Sequence, residues 1–378
     1  MADKKRFVIS CGKTGGHLFP AIAVAQELKS VFNDKVEMLF FISGKDLERE
    51  ILNKAGFNSS AVPGEPWTRK FSFAFFKFFF SHIHGTLKVL FKFLRRRPVG
   101  VLITGGFTSF PVGVGAVLLR IPLFIQEQNI FPGIVNRILA PFARTVFMPF
   151  EDAGKFIKSK NIVISGNPLR KEIEEFMIKN EKRTENKKFT LFFTGGSQGA
   201  VSIAKAAIEF LKLVKENNLE DEFRVYLHTG KREFREIDEM VNNLNLKMDI
   251  EVNSFFYNIY DIYLATDLII CRAGAMTISE ITVFGIPSIL VPYPYATGDH
   301  QAKNAAMVVD NEAGYMFNDN EIKGENIFKI TMQLRVNKAL LDSLRKNARK
   351  LGIISGRKVI AEKIYNQTKK KDESLSCF

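Results

Sequence analysis

Along the chain, short apolar runs alternate with longer amphipathic segments. RFVIS, VEMLFFIS, VGVLIT, PLFIQ and TVFMPF come first, then FTLFFT, FRVYLHT, DLIIC and SILVPY. These runs are apolar at consecutive positions, as strands must be in a parallel sheet covered by helices on both faces. The pattern predicts an α/β chain, wound twice. RFVISCGKTGGH and FTLFFTGGSQGA each place a glycine-rich turn between a buried strand and a helix, at Gly12 to His17 and at Gly195 to Gly199. Between them, SGNPLRKEIEEFMIKNEKRTENKKF is charged and poor in large apolar residues, which marks the join. The expected division is 1–165 and 166–354, with a helix near 355–368 crossing back to the first domain and a tail over 369–378.

The stretch FSFAFFKFFF, residues 71–80, is the strongest departure from this rhythm. A membrane-spanning helix needs roughly 20 consecutive apolar residues, and Lys70, Lys77, Lys88 and Lys92 interrupt this one. At about 100° per residue, Lys70, Lys77, His84, Lys88 and Arg95 share one stripe and the phenylalanines occupy the rest. The plain reading is a core helix with a solvated basic face. The sharper one is docking on an anionic lipid surface through Phe75, Phe76, Phe79 and Phe80 with Lys77, Arg95 and Arg96. Gly85 leaves open whether the segment is one helix or two.

Composition narrows the partners. Of 378 residues 46% are hydrophobic and 25% charged, and the net charge of +14 asks for an anionic partner. Cys11, Cys271 and Cys377 are too few and too scattered for a disulfide framework or a paired-cysteine zinc site. The opening MADKKRFVIS carries no apolar stretch of signal-peptide length, so a cytoplasmic protein is expected.

In GKTGGHLFPAIAVAQELK, glycines let backbone amides approach an anion while a helix starting near Pro20 points its positive end there. The stretch is not a P-loop, and no acidic ribose partner ends the second strand. In the second half, TGGSQGA offers Gly196, Ser197 and Gln198 at a helix start. CRAGAMTISE puts Gly274 to Thr277 at another, with Glu280 one turn on, where a carboxylate can accept from both hydroxyls of a ribose.

With GIPSILVPYPYATGDHQAKNA added, the chain resembles the MurG family of peptidoglycan glycosyltransferases. The likeness runs through TGGH, ITGGFTSFP, QEQN, GNPLR, GGSQGA, CRAGAMTISE and DHQAKNA. It implies a GT-B fold, two Rossmann-like domains facing each other across a cleft. It also implies transfer of N-acetylglucosamine from UDP-GlcNAc to the undecaprenyl-pyrophosphoryl-muramoyl peptide lipid I, giving lipid II. On the family's pattern Thr14, Gly15, Gly16, Asn129, Arg170, Ser197, Phe256, Ala275, Met276, Thr277, Ile278, Ser279, Glu280 and Gln301 contact UDP-GlcNAc, Phe256 through its main chain. His17 is the leading candidate for the base that takes the acceptor proton, or else positions acceptor or sugar; Glu127 is the second. No essential metal, no cofactor and no nucleic-acid partner are expected, and the place of action is the cytoplasmic face of the inner membrane, peripherally. Two departures stand out: Gln126 where the family often has histidine, and Phe107 where it has tyrosine. Gln126 cannot take up a proton. The rival readings are another GT-B enzyme such as a UDP-GlcNAc 2-epimerase, and a sugar-nucleotide-binding module without turnover.

Overall fold

The apolar runs form strands. β1 (Lys5–Ser10), β2 (Val36–Ile42), β3 (Asn58–Ala61), β4 (Gly100–Ile103), β5 (Leu123–Gln126), β6 (Thr145–Met148) and β7 (Ile162–Ile164) make one sheet, in the order β3-β2-β1-β4-β5-β6-β7. β8 (Phe189–Thr194), β9 (Phe223–His228), β10 (Asp249–Asn253), β11 (Leu268–Cys271), β12 (Ser288–Leu290) and β13 (Gly314–Met316) make a second, in the order β10-β9-β8-β11-β12-β13. Both sheets are parallel, and β4, β5, β8 and β11 are buried at every position because helices cover both faces. The computed structural model describes residues 4–12, 15–65, 73–180, 187–196 and 199–375, without the side chains of 73–77 and 370–375.

Two units result, Met1–Lys171 with Ile354–Phe378, and Glu172–Ile353. GNPLR stays with the first unit because Ser165 N–H donates to the Met148 carbonyl at 3.0 Å and Asn167 is buried among β5-end residues. The next helix, Lys171–Lys179, turns Phe176 onto Tyr260 and Phe284 of the second unit, at 5.6 and 6.2 Å.

The first core centres on Phe7, Ile9, Phe40, Phe124 and Phe147, the second on Leu191, Phe193, Phe210 and Phe223, all fully buried. Each such side chain contributes about 1.5–3 kcal/mol. The last helix, Gly356–Leu375, inserts Ile360, Ala361 and Ile364 into the first core, and its Arg357 pairs with Glu27 of the helix Gly15–Val31.

In each sheet the strand order reverses once, between β1 and β4 and between β8 and β11. Loops leaving such a switch point diverge and open a crevice at the carboxyl ends of the strands. The glycine turns that the sequence singles out follow β1, β8 and β11.

Phe73–Arg95 is one continuous helix. Gly85 does not break it; glycine is needed there because a Cβ would stand 2.7 Å from the Pro63 carbonyl oxygen.

Candidate active site

In the first unit the chain leaves β1 through Gly12 and enters the helix Gly15–Val31, whose third residue is His17. The helix starts five residues ahead of the expected Pro20. Pro20 removes a donor from the Gly16 carbonyl, which is tolerated because Gly16 is exposed and water can serve it. Beside this turn the β4 loop brings Gly105 and Gly106, with φ of +99° and +84°. A Cβ on Gly106 would lie 2.4 Å from Gly12 Cα, and one on Gly105 3.1 Å from His17 Cε1. Two bare backbones therefore form the floor on which the His17 ring rests. His17 is half-buried, its Nδ1 lies 2.8 Å from Gln128 Oε1, and among the described residues nothing hydrogen-bonds its Nε2.

Glu127 is buried, and both carboxylate oxygens are occupied. Oε1 accepts from the main-chain N–H of Gln128 and of Asn129, each at 2.9 Å, and from Asn129 Nδ2 at 3.2 Å. Oε2 accepts from Gly133 N–H at 2.9 Å and Asn136 Nδ2 at 2.8 Å. A carboxylate has about four lone-pair sites. With five donors on it, Glu127 organises the 127–136 loop.

In the second unit the turn after β8 needs glycine twice over: a Cβ on Gly199 (φ +76°) would meet the Thr229 carbonyl oxygen at 2.0 Å. Gly196 N–H donates to Thr194 Oγ1 at 3.1 Å, Thr194 Oγ1 lies 2.9 Å from His228 Nδ1, and His228 Nε2 lies 3.1 Å from the Ser254 carbonyl oxygen. Since that carbonyl only accepts, His228 is protonated on Nε2 and its Nδ1 accepts the threonine hydroxyl. Burial pushes the His228 pKa down, opposed in part by the Ser254 bond.

After β11, Gly274 caps the helix Ala275–Phe284. The main-chain N–H groups of Ala275, Met276 and Thr277 have no intrahelical acceptor and gather positive potential at a half-exposed helix end. One turn on, Glu280 receives the Tyr263 hydroxyl at 3.3 Å. Gln301 Oε1 accepts Tyr293 N–H at 2.9 Å, which fixes the side chain with its amide nitrogen turned away from that bond. Cys11 and Cys271 are buried and their thiols pushed up, Cys271 to about 12, so neither is a nucleophile.

The N-terminal domain of glycosyltransferase family 28 matches residues 7–148 and its C-terminal domain matches 190–364. The chain belongs to glycosyltransferase family 28. Among its relatives, the UDP-N-acetylglucosamine--N-acetylmuramyl-(pentapeptide) pyrophosphoryl-undecaprenol N-acetylglucosamine transferase of Desulforamulus reducens is 36% identical, covering 92% of this chain and 94% of the relative. The transferase of the same name from a Thermoanaerobacter strain is 34% identical, covering 96% and 99%. Among solved structures, MurG of Acinetobacter baumannii aligns with a TM-score of 0.78 at 22% identity over 96% of this chain and 99% of that one. A UDP-GlcNAc 2-epimerase from Neisseria meningitidis shares the fold, at a TM-score of 0.64, 13% identity and coverage of 96% and 100%.

For this family 28 chain the structure gathers His17, Gly15, Gly16 and Asn129 at the first switch point, and Ala275, Met276, Thr277 and Glu280 at the second. Gln301 begins the helix His300–Asp310, and Arg170 is exposed just before Lys171–Lys179. The Phe256 side chain packs inward against Phe192, Tyr226 and His228. The Ile278 and Ser279 side chains are buried, and Ile278 N–H is taken by the Gly274 carbonyl at 2.9 Å. Thr14 and Ser197 lie outside the described residues.

Sequence reasoning missed Arg272, which sits inside a motif it had quoted. The guanidinium bonds the Val291 and Pro292 carbonyls at 3.2 and 3.3 Å and Ser202 Oγ at 3.3 Å, pairs with Asp319, and lies over the Tyr293 ring. It ties the β11 end to the loop before Gln301. An arginine closing a fully buried strand was the available signal.

On the helix Phe73–Arg95, Phe79, Phe80, Ile83, Leu87, Phe91 and Leu94 are exposed, with His84, Lys88 and Arg95 beside them. The side chains of Phe75, Phe76 and Lys77 lie outside the described residues. Arg96 departs from its expected place: it pairs with Glu37 at 2.8 Å and with the Lys4 carbonyl, and so is committed to the sheet edge. No helix among the described residues is long and apolar enough to cross a membrane.

Proposed function

We propose that this chain transfers N-acetylglucosamine from UDP-GlcNAc to the 4-hydroxyl of the muramoyl sugar of lipid I, forming lipid II. The observation that carries the reading is the pair of ligand-ready switch points, in a chain whose relatives at 34–36% identity bear that activity in their names. In the second unit, the amides of Ala275, Met276 and Thr277 face the diphosphate, Glu280 the ribose and Gln301 the sugar or a phosphate oxygen. Arg170 and Ser197 add to the diphosphate contacts.

The reaction is an inverting displacement. The acceptor oxygen forms a bond to the anomeric carbon as the bond to the UDP oxygen breaks, and the electron pair leaves with UDP. Helix-end amides and Arg170 oppose the charge that grows there. The hydroxyl proton passes to His17 Nε2, the ring nitrogen without a hydrogen-bond partner among the described residues.

Lipid I is fixed in a bilayer, so the enzyme must come to it. The exposed ridge Phe79, Phe80, Ile83, Leu87, Phe91 and Leu94, beside Lys88 and Arg95, docks on the anionic cytoplasmic face of the inner membrane. Arg96 is not part of that surface.

The test is incubation of the purified protein with labelled UDP-GlcNAc and a lipid I analogue. The expected result is a lipid-linked disaccharide, with UDP released only when the acceptor is present. UDP release without acceptor, or epimerised sugar, would overturn the proposal.

A further inference from the structure

We infer that Gln128, Gln126 and Asn167 form a buried amide relay that fixes the tautomer of His17 and leaves its lone pair on Nε2. Its use in catalysis rests on the proposed role of His17 as base; the tautomer itself does not. The three amides are fully buried or nearly so, and their orientations follow from main-chain carbonyls, which cannot turn over. Gln128 Nε2 lies 3.1 Å from the Thr104 carbonyl oxygen and 3.3 Å from that of Gln126. With the amide reversed, an oxygen would face both of them and the Gln126 side-chain oxygen, with no proton between. Gln126 Nε2 is held in the same way by the Glu127 carbonyl at 2.9 Å, and Asn167 Nδ2 by the Gln128 carbonyl at 3.0 Å.

Each side-chain oxygen then receives the next amide. Asn167 Oδ1 accepts from Gln126 Nε2 at 3.1 Å, and Gln126 Oε1 accepts from Gln128 Nε2. The series ends at Gln128 Oε1, 2.8 Å from His17 Nδ1. An amide oxygen only accepts, so Nδ1 carries the proton of the neutral ring. When the acceptor proton arrives at Nε2, Nδ1–H keeps its bond and nothing has to reorient. The amides are positioning residues, and none of them changes charge as the pH changes.

The test uses 15N-histidine-labelled full-length protein. With five histidines in the chain, the spectrum of His17→Ala assigns the signal. The expected result in the parent is a neutral His17 protonated on Nδ1 and bare on Nε2. In Gln128→Met the signal moves to a mixture of tautomers. Its kcat falls by tenfold or more, within the roughly 10²- to 10⁴-fold that positioned proton transfer supplies, while the donor KM is unchanged. Gln126→Met loses less, because the Thr104 and Gln126 carbonyls still hold the Gln128 amide. A parent His17 with its proton on Nε2 overturns the relay whatever the activity, and so does a Gln128→Met protein with native tautomer and native kcat. A fully active His17→Ala would instead overturn the base assignment, and with it the catalytic use of the relay.

Discussion

Substituting Glu127→Gln keeps the shape of the side chain while removing its charge and one of its two acceptor oxygens. If the amide oxygen stays with the three donors at Oε1, the new NH2 faces Gly133 N–H and Asn136 Nδ2. Asn136 can turn its amide over, because its Oδ1 has no partner among the described residues, and so recover one bond. Gly133 cannot, since its donor is main chain, but that residue is exposed and water can take the bond; the buried orphan is the Asn136 NH2, turned into the place its Oδ1 now holds. One orphaned buried N–H costs about 1–3 kcal/mol, and the other bonds weaken from charge-assisted to neutral, so the total is about 2–4 kcal/mol. For a unit of this size each kcal/mol lowers Tm by roughly 2–4 °C. Calorimetry should therefore show the first unit's transition falling by roughly 4–16 °C, while the pH profile of kcat keeps its shape in the protein that remains folded. A Glu127→Gln protein with native Tm whose kcat has dropped roughly 10²- to 10⁴-fold would show that Glu127 is the base, and would refute the reasoning.

Three further outcomes follow from the geometry. Gly199→Ala should cost more than the roughly 1–2 kcal/mol of left-handed backbone, because its Cβ would also meet the Thr229 carbonyl; unfolding and UDP titration read both losses, and native values for both would sink the account of that turn. His228 is held below its ordinary pKa of 6.5, so the unfolded chain binds the proton more readily. Its contribution is complete above about pH 6.5 and is lost as the pH falls below that, so the stability gap between parent and His228→Ala in the second unit should narrow on acidification; a gap that widens would contradict the assigned tautomer. Replacing Phe80, Leu87 and Phe91 by serine should leave Tm unchanged, since all three are at least 60% exposed, yet weaken binding to anionic vesicles by tenfold or more, at about 1.5–3 kcal/mol for each large apolar side chain withdrawn from lipid; equal sedimentation of variant and parent would rule the ridge out.

The strands, their parallel pairing and the glycine turns after β1, β8 and β11 were legible in the sequence, because a strand buried on both faces must be apolar throughout and the turn after β8 admits no Cβ at Gly195 or Gly199. Those constraints act within a few residues. What each polar group does was decided by partners far along the chain. Gln128 meets His17 across 111 positions and Asn167 meets Gln126 across 41. Arg96 is drawn to Glu37, 59 residues away, and not to a lipid-facing stripe. Glu127 looks like a base when read alone and becomes a loop anchor once five donors converge on it. Ile278 belongs to a ligand motif in sequence, yet the helix it sits on turns it into the core. Local periodicity specifies backbone and burial; the protonation, orientation and availability of a side chain depend on which distant groups the fold brings within hydrogen-bonding reach.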